Sequence, residues 1–296
     1  MQAIPAIATQ PEAVPGQFIP TQSTSDSQTI NLWLHGKAAT TQRGYRREVA
    51  SFLAFVDKPL QWVTLGDLQR YSDSLGHLAP RTQCRTLAAI KSLFSFAQKI
   101  GYVRFNCGAP LSLPKPKEDL AERILSEAEV QRMIALAKGR DYVLLRFLYG
   151  SGCRCSEVLN IRWRDFAEAP EGRAVVCVYG KGGKTRHVLL PGSVWRDVQS
   201  LKRPEDGPDD APFRSRLGRP MSQPALWRAV RAAAKRAGIT RPVSPHWLRH
   251  SCASHSLDRG APVHVVQKSL GHASLATTSI YAHCRPNEGA ALYLGL

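Results

Sequence analysis

Acid is what this 296-residue chain is short of: 23 Asp and Glu stand against 40 Lys and Arg, a net charge of +17. An excess of one sign that large implies a polyanionic partner, either nucleic acid or an anionic surface. No run of about 18 apolar residues occurs, so no membrane-spanning helix is expected. No basic stretch followed by an apolar core opens the sequence, which argues against secretion. Seven cysteines (Cys84, Cys107, Cys153, Cys155, Cys177, Cys252 and Cys284) form no C-x-x-C pair. The two nearest, Cys153 and Cys155, flank an arginine, so neither a zinc site nor a disulfide framework is expected. The set fits a reducing cytoplasm. Internal repeats and coiled-coil heptads are also missing.

Lys and Arg are wholly absent from residues 1–27, which are rich in Pro, Gln, Ser, Thr and Ala and read as a disordered leader. The basic charge therefore belongs to residues 28 onward. Residues 28–110 show helical periodicity. Tyr45, Val49, Phe52, Leu53 and Val56 mark one helix, and Leu87, Ile90, Leu93, Phe94 and Ala97 another. Thr64 is placed to cap a third, Leu65–Leu75. Arg43, Arg46 and Arg47 cluster on the first helix; Arg81 and Arg85, four apart, open a later one, with Lys91 beyond them. Bases carried this way can grip phosphates or enter a major groove, although a solvated basic face looks the same in sequence. Residues 111–124, stiffened by Pro114 and Pro116, read as a linker. The capping-box pair Ser126 and Glu129 opens a second, mixed domain at 125–285, and residues 286–296 form a tail. That tail ends in apolar Leu292, Tyr293 and Leu294, which would dock on a neighbouring subunit or fold back at home.

The chemistry-bearing residues concentrate in this second domain. Ser244-Pro245 starts a helix that runs to Asp258, which puts His246 and Arg249, three apart, on one face; His250 is a less certain neighbour of His246. Val263, Val266 and Leu270 continue helically to a stop at Gly271. His272 comes next, then Tyr281 on a further short helix. Upstream, glycines break an apolar helix over Tyr142–Tyr149 and set Arg154 at the start of the next one, where a guanidinium beside helix N–H groups suits a phosphate. Glu157 is structural by its position. Between the strand-like runs Ala174–Tyr179 and Arg186–Leu190, the glycines of Gly180-Lys-Gly-Gly-Lys-Thr185 predict a hairpin carrying Lys181 and Lys184 at its tip. A nucleotide P-loop is excluded, because its opening glycine would fall at Val178. Two imidazoles, arginines and a tyrosine together suit displacement at a phosphodiester. Guanidiniums and imidazole donors stabilise the spread negative charge, and a phenol serves as covalent nucleophile. Taken singly, each residue is ordinary: a helix-face aromatic, scattered histidines, a solvated lysine turn.

The set Gly152-Cys153-Arg154-Cys155-Ser156-Glu157, Gly180-Lys181-Gly182, His246-x-x-Arg249-His250, Leu270-Gly271-His272 and Tyr281 resembles the ordered signature of the tyrosine recombinases, the phage-integrase and Xer-type DNA strand-transfer enzymes. The likeness spans residues 28–285. It implies a mainly α fold with a small antiparallel sheet: an N-terminal helical, SAM-like core-binding domain and a C-terminal mixed α/β catalytic domain. It raises Arg43, Arg81 and Arg85 as contacts to double-stranded DNA, with Lys91 and Lys184 as further DNA-binding candidates. It implies that Tyr281 forms a 3′-phosphotyrosyl link, that Arg154 and Arg249 grip the nonbridging oxygens, and that His272 donates to the phosphate. His246 would accept the phenol proton, and Lys181 would protonate the leaving 5′-oxygen. Energy stays in the ester, so no nucleotide or metal cofactor is expected. Two duplexes need four such events, which implies a homo-tetramer at synapsis, or a hetero-tetramer with a related recombinase. The departure is at the end: fifteen residues lie beyond Tyr281, so the exchanged C-terminal helix of many relatives looks short. Competing readings are a type IB topoisomerase-like nicking-closing enzyme, a non-catalytic DNA-binding protein of the same fold, and a metal hydrolase. The last is weakened because no Glu stands in the H-x-x-x-H spacing of His246 and His250.

Overall fold

Helical periodicity and one run of strand alternation build two units, divided at residues 117/118. The computed structural model describes residues 22–115, 120–180, 183–271 and 281, and is mainly α-helical with one small antiparallel sheet. Lys181, His272, the short helix expected before Tyr281 and the C-terminal tail lie outside the described residues.

The first unit is helical: α1 (Asp26–Leu34), α2 (Ala39–Val56), α3 (Leu65–Ser74) and α4 (Pro80–Lys99). Their apolar stripes meet in a core that includes Trp33, Phe52, Leu68, Leu87, Leu93 and Phe94. Thr64 and Asp67 form the reciprocal box that starts α3. Helix α1 departs from expectation, and so does the boundary of the leader at residue 27. Ser23 is buried and hydrogen-bonded to Thr29, and the Ser25 hydroxyl caps α1. The Asp26 carboxylate accepts from the Tyr102 hydroxyl at 2.6 Å and from the Leu60 N–H at 3.1 Å. A Ser/Thr/Asp cluster that composition assigns to disorder is here a set of caps and anchors. The linker shrinks from both ends. Leu111 belongs to the first core, while Leu120 and Ile124 pack on an apolar cluster of the second unit.

The second unit runs α5 (Glu127–Ala135), α6 (Gly139–Ser151), α7 (Cys155–Asn160), β1 (Phe166–Ala169), β2 (Arg173–Tyr179), β3 (Thr185–Leu190), α8 (Gly192–Gln199), α9 (Gln223–Arg236), α10 (Pro245–Asp258) and α11 (Val263–Leu270). The Ser126–Glu129 box starts α5 as the sequence predicts. The three strands are antiparallel in the order β1-β2-β3, with Tyr179 opposite Thr185 at the hairpin. Alternation turns Ala174, Val176, Val178, Val188 and Leu190 into the main core. Two glycines set the geometry at the site. Gly152 ends α6 at φ +59°, where a Cβ would come within 2.5 Å of the Leu270 side chain. Gly271 ends α11 at φ +67°, where a Cβ would sit 2.9 Å from Arg186. Both need the left-handed backbone and the missing side chain at once.

Candidate active site

A helix C-terminus exposes carbonyls without intrahelical partners. At the end of α11 three successive ones accept from three different arginines. Arg186 Nε donates to the Ser269 carbonyl at 2.7 Å, Arg249 Nη2 to Leu270 at 2.7 Å, and Arg154 Nη2 to Gly271 at 3.4 Å. The guanidiniums come from β3, α10 and the residue before α7, so one helix end gathers distant parts of the chain. The negative end of the α11 dipole favours this cationic company.

Glu157 lies at the centre. Its carboxylate accepts from Arg186 Nη1 and Nη2, both at 2.8 Å, from Arg154 Nη1 at 2.9 Å and from the Arg154 backbone N–H at 2.7 Å. Burial pushes this carboxyl upward, but the Arg186 and Arg154 hydrogen bonds and charges outweigh it and hold the pKa at about 2. Glu157 is thus structural, as its position implies, and works by orienting two arginines. The Arg154 N–H that would have joined its side chain on a phosphate is committed to this carboxylate instead.

Arg249 is buried, with Nη1 on the Gly152 carbonyl at 2.6 Å and Nη2 on Leu270. Burial first, then repulsion from Arg154, lowers its pKa to about 10, so it stays cationic at neutral pH. His246 sits within electrostatic reach of both Arg249 and Arg154. Its ring meets solvent, yet the protein around it and the charges of these two arginines lower its pKa, favouring neutral imidazole. Two guanidiniums on the Glu157 carboxylate and a third, that of Arg249, within its electrostatic reach leave a local positive excess, suited to an anion with nonbridging oxygens.

The Tyr281 phenol is buried against Ala253, Leu257, Val266 and Leu270 and lies within electrostatic reach of Arg249. Its hydroxyl is 2.6 Å from His250 Nδ1. The structure therefore joins Arg154, His246, Arg249 and Tyr281. It adds Arg186, which the motif signature leaves out, and finds a partner for His250, which the signature contains but gives no role. Arg186 has a legible signal, since it shares the inward-facing alternation of Val188 and Leu190 on β3 and an arginine there needs a buried partner. His250 has a weaker one, its four-residue spacing from His246. Lys184 is exposed beside the hairpin turn. Among the described residues no three His, Cys, Asp or Glu side chains gather as a metal site requires.

In the first unit Arg43, Arg46, Arg47, Arg81 and Arg85 lie on α2 and α4, and Arg47 and Arg85 share the buried Glu48, at 3.0 and 2.8 Å. Lys91 behaves differently from its expected role on DNA. Its ammonium donates to the carbonyls of Ala109 and Leu111 and straps down the segment after α4.

The fold and this cluster belong to a class of DNA strand-transfer enzymes. The family described as "Phage integrase family" matches residues 123–288. Tyrosine recombinase XerD of Bifidobacterium longum is 32% identical over 289 residues, covering 88% of this chain and 91% of that protein. Tyrosine recombinase XerC of Xanthomonas campestris pv. campestris is 31% identical over 258 residues, covering 83% and 79%. A lambda integrase (75–356) dimer bound to a COC′ core site shares the fold at TM-score 0.74 and 18% identity, over 89% of this chain and 95% of that one. XerH recombinase in a post-cleavage complex with palindromic difH shares it at TM-score 0.71 and 22% identity, over 88% and 82%. The chain belongs to the phage integrase family and is a Xer-like, site-specific tyrosine recombinase, an enzyme that transfers DNA strands.

Proposed function

We propose that the protein cuts and rejoins double-stranded DNA at a specific site in the cytoplasm, through a 3′-phosphotyrosyl intermediate on Tyr281. The observation that supports this best is the gathering of Arg154, Arg186 and Arg249 on one helix end, with the Glu157 carboxylate between them and the Tyr281 phenol alongside. Arg154 and Arg249 hold the two nonbridging oxygens of the scissile phosphate. Both are fixed before DNA arrives, so little reorganisation accompanies the build-up of charge. His246 stands neutral beside them, and His272 donates a further hydrogen bond to the phosphate. Lys181, which falls in the sequence between β2 and β3, protonates the 5′-oxygen as it leaves. Attack by the 5′-hydroxyl of a partner strand reverses the chemistry on a new strand. Four subunits on two duplexes, identical or paired with a related recombinase, complete the exchange. The arginines of α2 and α4 bind duplex phosphates.

The test is to incubate the protein with sheared genomic DNA, denature, recover the covalent adduct and sequence the attached ends. A single site, a free 5′-hydroxyl that accepts label from a polynucleotide kinase, and loss of all adduct in Tyr281→Phe with DNA binding retained are the expected results. A 5′-linked adduct, or adduct persisting in Tyr281→Phe, would overturn the assignment. Relaxation of a supercoiled plasmid that lacks the mapped site would favour nicking and closing over recombination.

A further inference from the structure

We propose that His250 is the group that takes the Tyr281 proton during cleavage, a role for which the family resemblance makes His246 the candidate. The inference rests on Tyr281 being the nucleophile. A general base must first lie within hydrogen-bonding distance of its proton. His250 Nδ1 stands 2.6 Å from the Tyr281 hydroxyl, and the two rings are tilted by 40° with centroids 5.7 Å apart. Positions on α10 divide the work. His246 and Arg249 are three apart and His246 faces the arginine cluster, whereas His250, one turn beyond His246, faces the phenol. The phenol ring itself is packed among the apolar side chains of Ala253, Leu257, Val266 and Leu270. A ring nitrogen already at the phenol oxygen is placed to accept its proton without rearrangement.

Protons and bonds balance through the step. With its other nitrogen protonated, neutral His250 accepts the Tyr281 hydroxyl proton at Nδ1 as the phenol oxygen bonds to phosphorus. The P–O5′ bond breaks, and Lys181 gives its proton to O5′. The products are a phosphotyrosyl ester, a 5′-hydroxyl, an imidazolium and a neutral lysine amine. When the incoming 5′-hydroxyl attacks, its proton goes to the lysine, and the imidazolium returns its own to the departing phenolate. No metal, nucleotide or redox partner enters.

The test uses the full-length protein and a nicked suicide duplex carrying the site mapped by adduct sequencing, with DNA affinity measured beside the single-turnover rate of adduct formation. His250→Ala is expected to lower that rate on the order of 100-fold, a typical loss for a missing general base, with the dissociation constant staying near wild type. His250→Asn, which still offers an oxygen to hold the phenol but takes no proton at neutral pH, is expected to stay about as slow. A second duplex with sulfur in place of the bridging 5′-oxygen releases a thiolate that needs no acid. It should restore Lys181→Ala and leave both His250 variants slow. A wild-type rate in His250→Ala, recovery in His250→Asn, or rescue by the sulfur substrate would each overturn the proposal. If His250→Ala also loses DNA binding, the Asn variant decides between base and mere packing. Adduct surviving in Tyr281→Phe would instead remove the nucleophile on which the proposal rests.

Discussion

Each unit holds one buried glutamate gripped by two arginines from different elements, and the two clusters behave differently. In the first, the Glu48 side chain is 9% exposed, but its arginines, Arg47 and Arg85, are 72% and 49% exposed. In the second, Glu157 is 3% exposed, and Arg154 and Arg186 are 35% and 10% exposed. The first arrangement anchors one edge of each guanidinium and leaves the rest in water. The second closes off most of each guanidinium, so its hydrogen bonds fix orientation. A carboxylate between arginines is therefore no mark of function by itself. The exposure of the cations separates guanidiniums left largely in water from guanidiniums held at a fixed angle.

The largest expected effect breaks this comparison directly. Glu157→Ala leaves three guanidiniums clustered with no counter-charge, and unpairing a buried ion in that way costs about 3–5 kcal/mol. Glu48→Ala removes an acceptor from exposed arginines and from the Thr86 hydroxyl, a loss of about 1–3 kcal/mol. Hydrogen exchange of amides in each unit, measured on the full chain, would report the two losses separately. Equal costs would mean that exposure is the wrong discriminator. Arg186→Ala should slow adduct formation on the order of 100-fold, the scale of misplaced catalytic groups, because Glu157 and the end of α11 lose the guanidinium that holds them, while DNA affinity stays near wild type.

Acid gives the second test. The folded pKa of Glu157, about 2, lies below its ordinary value of 4.5. The deprotonated form is thus the one that folding favours. Its contribution is complete above the ordinary value and is lost as pH falls from there through about 2. Exchange protection around α7 and the end of α11 should decline across that window. Glu157→Gln should start weaker at neutral pH and show a flatter decline; an unchanged acid profile in that variant would assign the loss to other carboxylates.

How far the sequence reaches is clearest at α10 and α11. Their bounds follow from Pro245, Gly260, Pro262 and Gly271, because proline and glycine constrain the backbone locally. The pairing of β2 with β3 follows for the same reason. Four of the six motif residues meet in one place, and no local signal says how; the gathering depends on carbonyls at the end of α11, which every residue possesses and no motif spells. Arg186 is hidden because its role comes from tertiary burial, although strand alternation marks it. Helix α1 is hidden because Ser, Thr and Asp serve equally as caps and as disordered polar chain. His250 is half-visible, since helical spacing ties it to His246 while only the fold brings it to Tyr281.

A smaller effect sharpens the reading of the first unit. If Arg43, Arg81 and Arg85 contact phosphates, DNA affinity falls steeply with salt, and each alanine variant lowers the log–log slope by about 1. The weakening should be uniform across DNA sequences, since phosphate contacts position without reading bases. A slope unchanged in all three variants would return α2 and α4 to an ordinary solvated face.

The smallest effect is expected at Lys91, and it decides between two uses of one ammonium. On the surface of α4 a lysine resembles the arginines around it, yet this one donates to the carbonyls of Ala109 and Leu111. Lys91→Met keeps the aliphatic stem and removes the donors. The segment after α4 should loosen by about 1 kcal/mol, the net value of a typical intramolecular hydrogen bond, seen as faster exchange in the segment that holds Ala109 and Leu111. The salt slope of DNA binding should not move. A slope reduced by about 1, as for the arginines, would show that the strap opens when DNA binds and that the lysine leaves its carbonyls for a phosphate.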